Sequence, residues 1–265
     1  RDSIIYSGTL YIAVGRDNNT STKATIVTSP DGFTWTTRYT ATTTGTQFNA
    51  VAQGGGRFVA VGTLNQSAAS SDGLAWTAGT TPSTNTTSFN GIAYRSTPSG
   101  AFMAVGGAGT IVSSTDGAAW ASVTSGEGFN LLSASAAPDG SYMTATNGVI
   151  LRSADGINFS RTLSPQSLTP LGTTIRGSTV ADNQLYVVGS NGLIARSANG
   201  LTFTTLSSGT TNGLYSIIKQ GTKLYAVGDA GMILVSADDG ATWSTRDSKT
   251  TQRLLAIGCF QVAVT

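Results

Sequence analysis

The sequence predicts an all-β protein built from repeated four-stranded antiparallel sheets. A short phrase that begins Ser-x-Asp or Ser-x-Asn recurs six times, and its serines are spaced 39 to 44 residues apart. Each repeat also holds four β-prone runs of four to seven residues, bounded by Gly, Asn, Asp or Ser. Four strands in about 40 to 45 residues is the size of a propeller blade, so the predicted fold is a β-propeller.

The first two strands of each repeat are predicted by two families of phrases. The first strand has the "FNGIAY" pattern, and its copies are "SIIYSG", "FNAVAQ", "FNGIAY", "FNLLSA", "RGSTVA", "YSIIKQ" and "LLAIGC". The second strand has the "FMAVG" pattern, and its copies begin at Tyr11, Phe58, Phe102, Tyr142, Leu185 and Leu224, with "QVAVT" ending the chain at Thr265. Both patterns are rich in β-branched and aromatic residues, which favour strands.

The third strand leads into the recurring phrase, as in "GTIVSS", and the fourth leaves it, as in "AAWASV". Seven second strands but only six phrases predict seven blades, of which the last is incomplete. Since "RDS" at Arg1 repeats "RDS" at Arg246, the N-terminus is interpreted as the tail of a fourth strand, so that both chain ends share the seventh blade. The predicted blades of this one domain are residues 1–40, 41–82, 83–125, 126–165, 166–209, 210–249 and, in part, 250–265.

The phrase "SADDGATW", from Ser236 to Trp243, resembles the Asp-box, or BNR, repeat Ser-x-Asp-x-Gly-x-Thr-Trp. The other five phrases are one residue shorter between the acid and the glycine. The residues that match the box are Ser29, Asp31, Trp35, Ser70, Asp72, Trp76, Ser114, Asp116, Trp120, Ser153, Asp155, Phe159, Ser197, Asn199, Phe203, Ser236, Asp238 and Trp243. The chain is also similar, in "AVG" followed by "SADDGATW", to propellers of the photosystem II stability/assembly factor family, although that family's Gly-Gly before the box Trp is missing.

A structural role for these boxes follows from their residue types. Asp and Ser side chains accept hydrogen bonds from turn amides, and Gly takes the positive φ that such turns need. Asn199 replaces the acid in the fifth box, a change that a turn tolerates and a catalytic acid does not. All four Trp residues of the chain lie in boxes, so none is left to stack on a sugar.

Catalytic chemistry is poorly represented in the chain. There is no His, which excludes His bases, His-containing triads and nearly all zinc and copper sites. Sialidases resemble this chain in the boxes alone, because no Arg-Ile-Pro occurs and Glu127 is the single Glu. A glycosidase needs two carboxylates about 5 to 10 Å apart, whereas the remaining acids are scattered over different blades. We therefore expect no catalytic residue, no metal and no cofactor.

Departures from the repeat mark the candidate binding residues. The first repeat carries an insertion, "RDNNTSTK", in which Arg16, Asp17 and Asn18 are candidates for a polar ligand. The alternatives are a weak Ca²⁺ site at Asp17, Asn18 and Asn19 and, as the favoured one, a tolerated surface insertion. The loop "SPQSLTPLGTTIRG" carries Arg176, and Arg253 enters the seventh blade at an equivalent position. Together the three arginines predict a modest cationic rim, with ordinary solubilising charge as the alternative.

The composition favours a binding or scaffold module. A net charge of +2 without a basic run gives no sign of nucleic-acid binding, and no apolar run is long enough for a membrane span. Charged residues make up 11% of the chain, and together with the many Ser and Thr residues this predicts a secreted, cell-surface or virion-surface protein. The predicted function is protein interaction, as part of a larger assembly. The alternatives are a lectin-like glycan binder and, more remotely, a propeller related to glycoside hydrolases.

Overall fold

A computed structural model describes residues 3–17, 22–82, 87–96, 100–137, 140–162 and 173–258. The chain divides into two compact units: the first is Arg1–Thr124 with Gly258–Thr265, and the second is Ser125–Ile257. Each unit holds three four-stranded antiparallel sheets, in which neighbouring strands follow one another along the chain. The prediction of an all-β protein made of such sheets is confirmed.

The first unit contains strands β1 to β12. Their bounds are β1 Ser3–Tyr6, β2 Tyr11–Arg16, β3 Lys23–Ser29, β4 Thr36–Thr44, β5 Phe48–Gly54, β6 Arg57–Gly62, β7 Ser67–Ser70, β8 Thr77–Ala78, β9 Phe89–Arg95, β10 Ala101–Gly106, β11 Ile111–Ser114 and β12 Ala121–Val123. β1–β4 form one sheet, β5–β8 the next and β9–β12 the third.

The second unit contains strands β13 to β24. Their bounds are β13 Leu131–Ala137, β14 Gly140–Ala145, β15 Ile150–Ser153, β16 Ser160–Thr162, β17 Ile175–Ala181, β18 Gln184–Gly189, β19 Ile194–Ser197, β20 Thr204–Leu206, β21 Leu214–Gln220, β22 Lys223–Gly228, β23 Ile233–Ser236 and β24 Ser244–Arg246. β13–β16, β17–β20 and β21–β24 are its three sheets, which we number four to six.

A single 3₁₀ turn joins the second strand to the third in sheets two to six. These turns are Thr63–Asn65, Gly107–Gly109, Thr146–Gly148, Ser190–Gly192 and Asp229–Gly231. The central residue of each has a left-handed backbone, with φ between 50 and 65°. In the first sheet the predicted insertion, from Arg16 to Lys23, takes the place of this turn.

The core of each unit lies between its neighbouring sheets. Every residue of the second strands β10 and β14 is buried, whereas the fourth strands β8, β20 and β24 have no buried residue. Burial on both faces explains why the second strands have almost continuous apolar sequences instead of alternating ones. Phe102, at 0% exposure, packs with Val59, Phe89 and Trp120 between the second and third sheets.

A β-bulge interrupts the first strand at the same position in five sheets. In β17, Ile175 pairs with Gly189 and Gly177 with Val188, so that Arg176 is the extra residue. The corresponding bulge residues are Asn49, Asn90, Leu132 and Tyr215. A bulge bends the strand and redirects the side chain of the extra residue, and bulges are common beside binding sites.

The predicted count of seven blades is corrected by the structure, whose described residues form six sheets. The turn at residues 248–252 repeats the hydrogen bonds at residues 208–212, and Leu254 N–H donates to the Gly228 carbonyl at 2.9 Å. The chain therefore follows the repeat as far as Leu254. No strand is assigned from there to Gly258, and the predicted second strand of this blade, "QVAVT", lies outside the described residues.

The first strand predicted from "SIIYSG" is confirmed, since Ser3 pairs with Val14 and begins β1. The interpretation of the N-terminus as the tail of a fourth strand rests on the residues before it. Arg1, Asp2 and Thr265 lie outside the described residues. Gly258 does lie against Ile4, since a Cβ added to this glycine would stand 2.8 Å from the Ile4 carbonyl oxygen.

Candidate binding site

The six turns that contain the box residues share one hydrogen-bond pattern. In the first, the Ser29 hydroxyl donates to Asp31 Oδ1 at 2.8 Å and accepts from the Gly32 amide at 2.8 Å. Asp31 Oδ1 also accepts from the amides of Phe33 and Thr34. Each Ser–acid–Gly set therefore closes its own turn, and all of these side chains are occupied by local bonds.

The fifth turn keeps the pattern without a charge. Asn199 Oδ1 accepts from the amides of Leu201 and Thr202 at 2.9 and 3.0 Å, as the Asp oxygens of the first four turns accept from the corresponding amides. The aromatic residue that follows packs on a core cluster in the turns of Trp76, Trp120, Phe203 and Trp243. These turns therefore have the geometry of structural turns that join the third strand of each sheet to the fourth.

The turn carboxylates make the folded state sensitive to acid. The amides of Thr34 and Phe33, followed by the Ser29 hydroxyl, lower the pKa of Asp31 from 3.8 to about 2. The stabilisation from this carboxylate is therefore complete above about pH 4 and is lost as the pH falls through about 2. We expect Asp31→Asn, which copies Asn199, to flatten the loss of stability over this range, as measured by urea unfolding at each pH.

The reciprocal change supplies the control. Asn199→Asp adds a titrating group in the same geometry, so it should steepen the acid dependence. Identical pH profiles for the wild type and both variants would show that these turns do not carry the acid sensitivity.

Two predicted arginines come together in the second unit. The guanidinium carbon of Arg176, the bulge residue of β17, lies 4.6 Å from the ring centroid of Tyr215, the bulge residue of β21. The guanidinium carbon of Arg253 lies 5.0 Å from the same centroid, and its Nε donates to Asp229 Oδ1 at 2.7 Å. We call Arg176, Tyr215, Asp229 and Arg253 the arginine cluster. Its formal charge is +1.

One guanidinium of the cluster is left with unused donors. Arg176 Nη1 is buried and has no hydrogen-bond partner, and Arg176 has no ion-pair partner among the residues that the structure describes. A Cβ at Gly213 would lie 2.6 Å from this nitrogen and 2.7 Å from Asp229 Oδ2. The missing side chain at Gly213 thus makes room for both groups.

An open cavity begins next to the cluster in sequence. It measures about 670 Å³ and is lined by Gly192 and residues 206–212, which end just before Gly213. Ser208, Thr210, Thr211 and Asn212 give it a polar lining. The cluster and this cavity are the candidate binding site of the second unit.

The remaining predicted site residues belong to the first unit and are described apart from the cluster. Arg16 is exposed at the end of β2. Asp17 Oδ1 accepts from the Lys23 amide at 2.7 Å, and the Asp17 amide donates to the Lys23 carbonyl, so Asp17 closes the base of the insertion. Asn18 lies outside the described residues.

Sequence reasoning missed Tyr215, Asp229 and Gly213. Tyr215 was assigned to an ordinary first strand, since "LYSII" shows nothing unusual by itself. Alignment of the bulge position across the repeats gives Asn, Asn, Leu, Arg and Tyr between residues that favour strands. A polar or aromatic residue in four of the five copies was the available signal. Within the described part of the chain, no helix has the length and apolar character needed to cross a bilayer.

Comparisons with known proteins place the fold. A model of the DUF6242 beta propeller domain matches residues 162–258. The solved structure "YCF48 bound to D1 peptide" matches with a TM-score of 0.69 and 18% identity, over 92% of this chain and 79% of that one. YCF48 from Cyanidioschyzon merolae matches with a TM-score of 0.63 and 17% identity, over 89% and 81%. None of the curated proteins matches the sequence. The chain is a β-propeller domain, and its six sheets are blades.

The comparisons contradict the predicted location. The matched structures are of YCF48, a photosystem II assembly factor, which is not a secreted or virion protein. The extracellular, cell-surface or virion location inferred from low charge and many Ser and Thr residues is therefore wrong. Those features are properties of the composition and do not report where the protein works.

Proposed function

We propose that the chain is a non-catalytic β-propeller module that binds a carboxylate-bearing segment of a protein partner at the arginine cluster. The observation that carries the proposal is Arg176, whose Nη1 is buried without a hydrogen-bond partner in the described structure. A buried donor left unpaired costs about 1–3 kcal/mol, and a carboxylate removes this cost by accepting the bond. The site is therefore built for an acceptor that arrives with a partner.

The geometry of the cluster suits a carboxylate. Tyr215 holds both guanidinium groups by cation–π contacts, which restrict their planes at little cost in desolvation. A guanidinium fixed in this way presents two parallel N–H groups, the arrangement that binds a carboxylate in bidentate fashion. Asp229 occupies Arg253 Nε, which leaves Arg176 as the principal anchor.

The comparisons support a protein partner. YCF48, a propeller with a similar fold, has been solved with a bound D1 peptide. In this chain the cavity of about 670 Å³, whose lining residues 206–212 directly precede Gly213 in sequence, has the polar lining that an extended peptide backbone needs. We infer that it takes the residues that precede or follow the carboxylate, and that the module serves a larger assembly.

The turns with box residues fit the same proposal. We infer that they are Asp-box turns with a structural role, since their five Asp carboxylates and the Asn199 amide oxygen accept bonds from the turn amides. Glu127, the single Glu, is held by Arg161 in a two-point ion pair at 2.9 and 2.6 Å. These engagements support a binding module in preference to a glycosidase.

Arg176→Gln tests the proposal. We expect it to weaken binding of a fluorescein-labelled acidic octapeptide with a free C-terminal carboxylate by about 10-fold to 100-fold, as measured by fluorescence polarisation, because a hydrogen bond to a charged group contributes about 1.5–3 kcal/mol. Affinity should also fall with added salt. The C-terminal amide of the same peptide distinguishes a terminal carboxylate from a side-chain carboxylate.

Arg161→Gln is the matched control, because it removes an arginine of the same unit that already has a partner. It should leave peptide affinity unchanged. Equal loss in both variants would mean that only net charge matters, and retained affinity in Arg176→Gln would place the peptide elsewhere. Either result refutes the proposed site.

A further inference from the structure

We propose that a second site, between the fifth and sixth blades, binds a neutral sugar residue of the pyranose class. It is a cavity of about 340 Å³ lined by Asp182, Gln184, Tyr186, Arg196 and Asp239. Small-molecule pockets typically measure about 300–1,000 Å³, so the cavity is large enough for a single small ligand. It shares no residue with the arginine cluster, and the inference does not depend on peptide binding.

The extra residue of the sixth box explains why this cavity exists. In the fifth box, Gly200 sits against the ring of Tyr142 in the fourth blade, and a Cβ there would lie 2.1 Å from the ring. Tyr186 is the counterpart of Tyr142 one blade later. Asp239 lengthens the sixth turn, and Gly240 now lies near Leu206. The space that a box glycine fills above Tyr142 is therefore left open above Tyr186.

The same change frees polar groups inside the cavity. Arg152 Nε donates to the Tyr142 hydroxyl at 3.3 Å in the fourth blade. Its counterpart Arg196 instead donates through Nη1 to the Asp239 carbonyl at 3.2 Å. Within the described residues, neither the Tyr186 hydroxyl nor the Gln184 amide has a hydrogen-bond partner. Both groups can donate and accept.

The two carboxylates of the cavity form ion pairs with one lysine. Lys219 Nζ lies 2.5 Å from Asp182 Oδ2 and 2.5 Å from Asp239 Oδ1, and the side chain of this lysine is only 8% exposed. Lys219 and Arg196 thus offset the two carboxylates. Each carboxylate still has a second oxygen, and the side chains of Asp182 and Asp239 are 72% and 57% exposed.

This arrangement selects the class of ligand. An anion would meet the free carboxylate oxygens, and a cation would compete with an ammonium already in place, so neither gains from entering. A neutral molecule with several hydroxyls can donate to Asp182 and Asp239 while it exchanges bonds with Gln184 and Tyr186. A pyranose ring carries hydroxyls on neighbouring carbons in this way. Tyr186 lines the cavity but is only 1% exposed, so its ring offers no stacking face, and its hydroxyl is the group that we assign to the sugar.

Saturation-transfer NMR with the methyl glycosides of glucose, galactose, mannose and N-acetylglucosamine tests the site. We expect transfer to at least one glycoside and weak, millimolar affinity, since hydrogen bonds without aromatic stacking carry the contact. Tyr186→Phe and Gln184→Ala should each weaken that affinity by about fivefold or more. Deletion of Asp239, which restores the short box, should abolish binding because Gly240 would then cover Tyr186.

Tyr142→Phe is the matched control, since it removes the equivalent hydroxyl from a blade without the cavity. It should leave glycoside binding intact, and thermal melting checks that every variant is folded. The proposal is overturned if no glycoside shows transfer, or if Tyr186→Phe and Gln184→Ala bind as the wild type does. It is also overturned if calcium competes with the sugar, because the cavity would then be a cation site.

Discussion

Gly192→Ala is expected to destabilise the protein by about 3 kcal/mol or more. Gly192 ends the 3₁₀ turn of the fifth blade with φ +68°, and a Cβ there would stand 1.9 Å from the Thr210 carbonyl oxygen. The substitution therefore adds backbone strain to a clash with another part of the backbone, which cannot move aside as a flexible side chain can. Urea unfolding monitored by tryptophan fluorescence measures the change.

Gly209→Ala separates the two contributions. Gly209, like Gly192, lines the cavity of about 670 Å³ and has almost the same φ, +72°. Nothing lies within 4 Å of its Cβ position. This variant should lose about 1 kcal/mol or less, since backbone strain is partly offset by a less flexible unfolded chain. If both variants lost the same stability, the close approach of Thr210 to Gly192 would be without energetic consequence.

Phe102→Ala is expected to cost about 3–5 kcal/mol, the range for removing a buried aromatic ring. Phe102 begins the second-strand motif of the third blade, is 0% exposed, and packs on Tyr94 with ring centroids 4.9 Å apart. Its removal leaves a cavity between two sheets that are held by their own hydrogen-bond ladders and cannot close around it.

Tyr11→Ala is the matched change, because Tyr11 occupies the same motif position in the first blade but is only half-buried. Its cost should be clearly smaller than that of Phe102→Ala. Equal costs at the two positions would mean that burial between blades does not set the contribution of the second strands.

The strands and turns were predictable because their signals are local. The "AVG" motifs fix the second strands through almost continuous apolar residues, and the box residues identify the turns through side chains that bond to amides two or three positions away. Neither inference needs a contact distant in sequence. The 3₁₀ turns were harder to predict, because Leu64 and Ala108 adopt a left-handed backbone that their residue types do not favour.

The candidate site was only half predictable, because it depends on contacts between repeats. Arg176 and Arg253 stood out by charge, and the structure brings them together. Their meeting point is Tyr215, which the bulge in β21 redirects. A bulge depends on the register between two strands, and a single strand's sequence does not encode that register. The predicted seventh blade is a different case, because its second strand, "QVAVT", lies outside the described residues.

The lengthened turn at Asp239 shows how copies of a duplicated unit diverge. In the fifth blade Arg196 pairs with Thr204, and in the sixth Val235 pairs with Ser244, so the additional residue is absorbed before the ladder resumes. A difference of one residue at such a tip changes the surface of one copy and leaves the pairing of its strands unchanged. Duplication can thus preserve a scaffold while each copy acquires a chemistry of its own, one tip at a time.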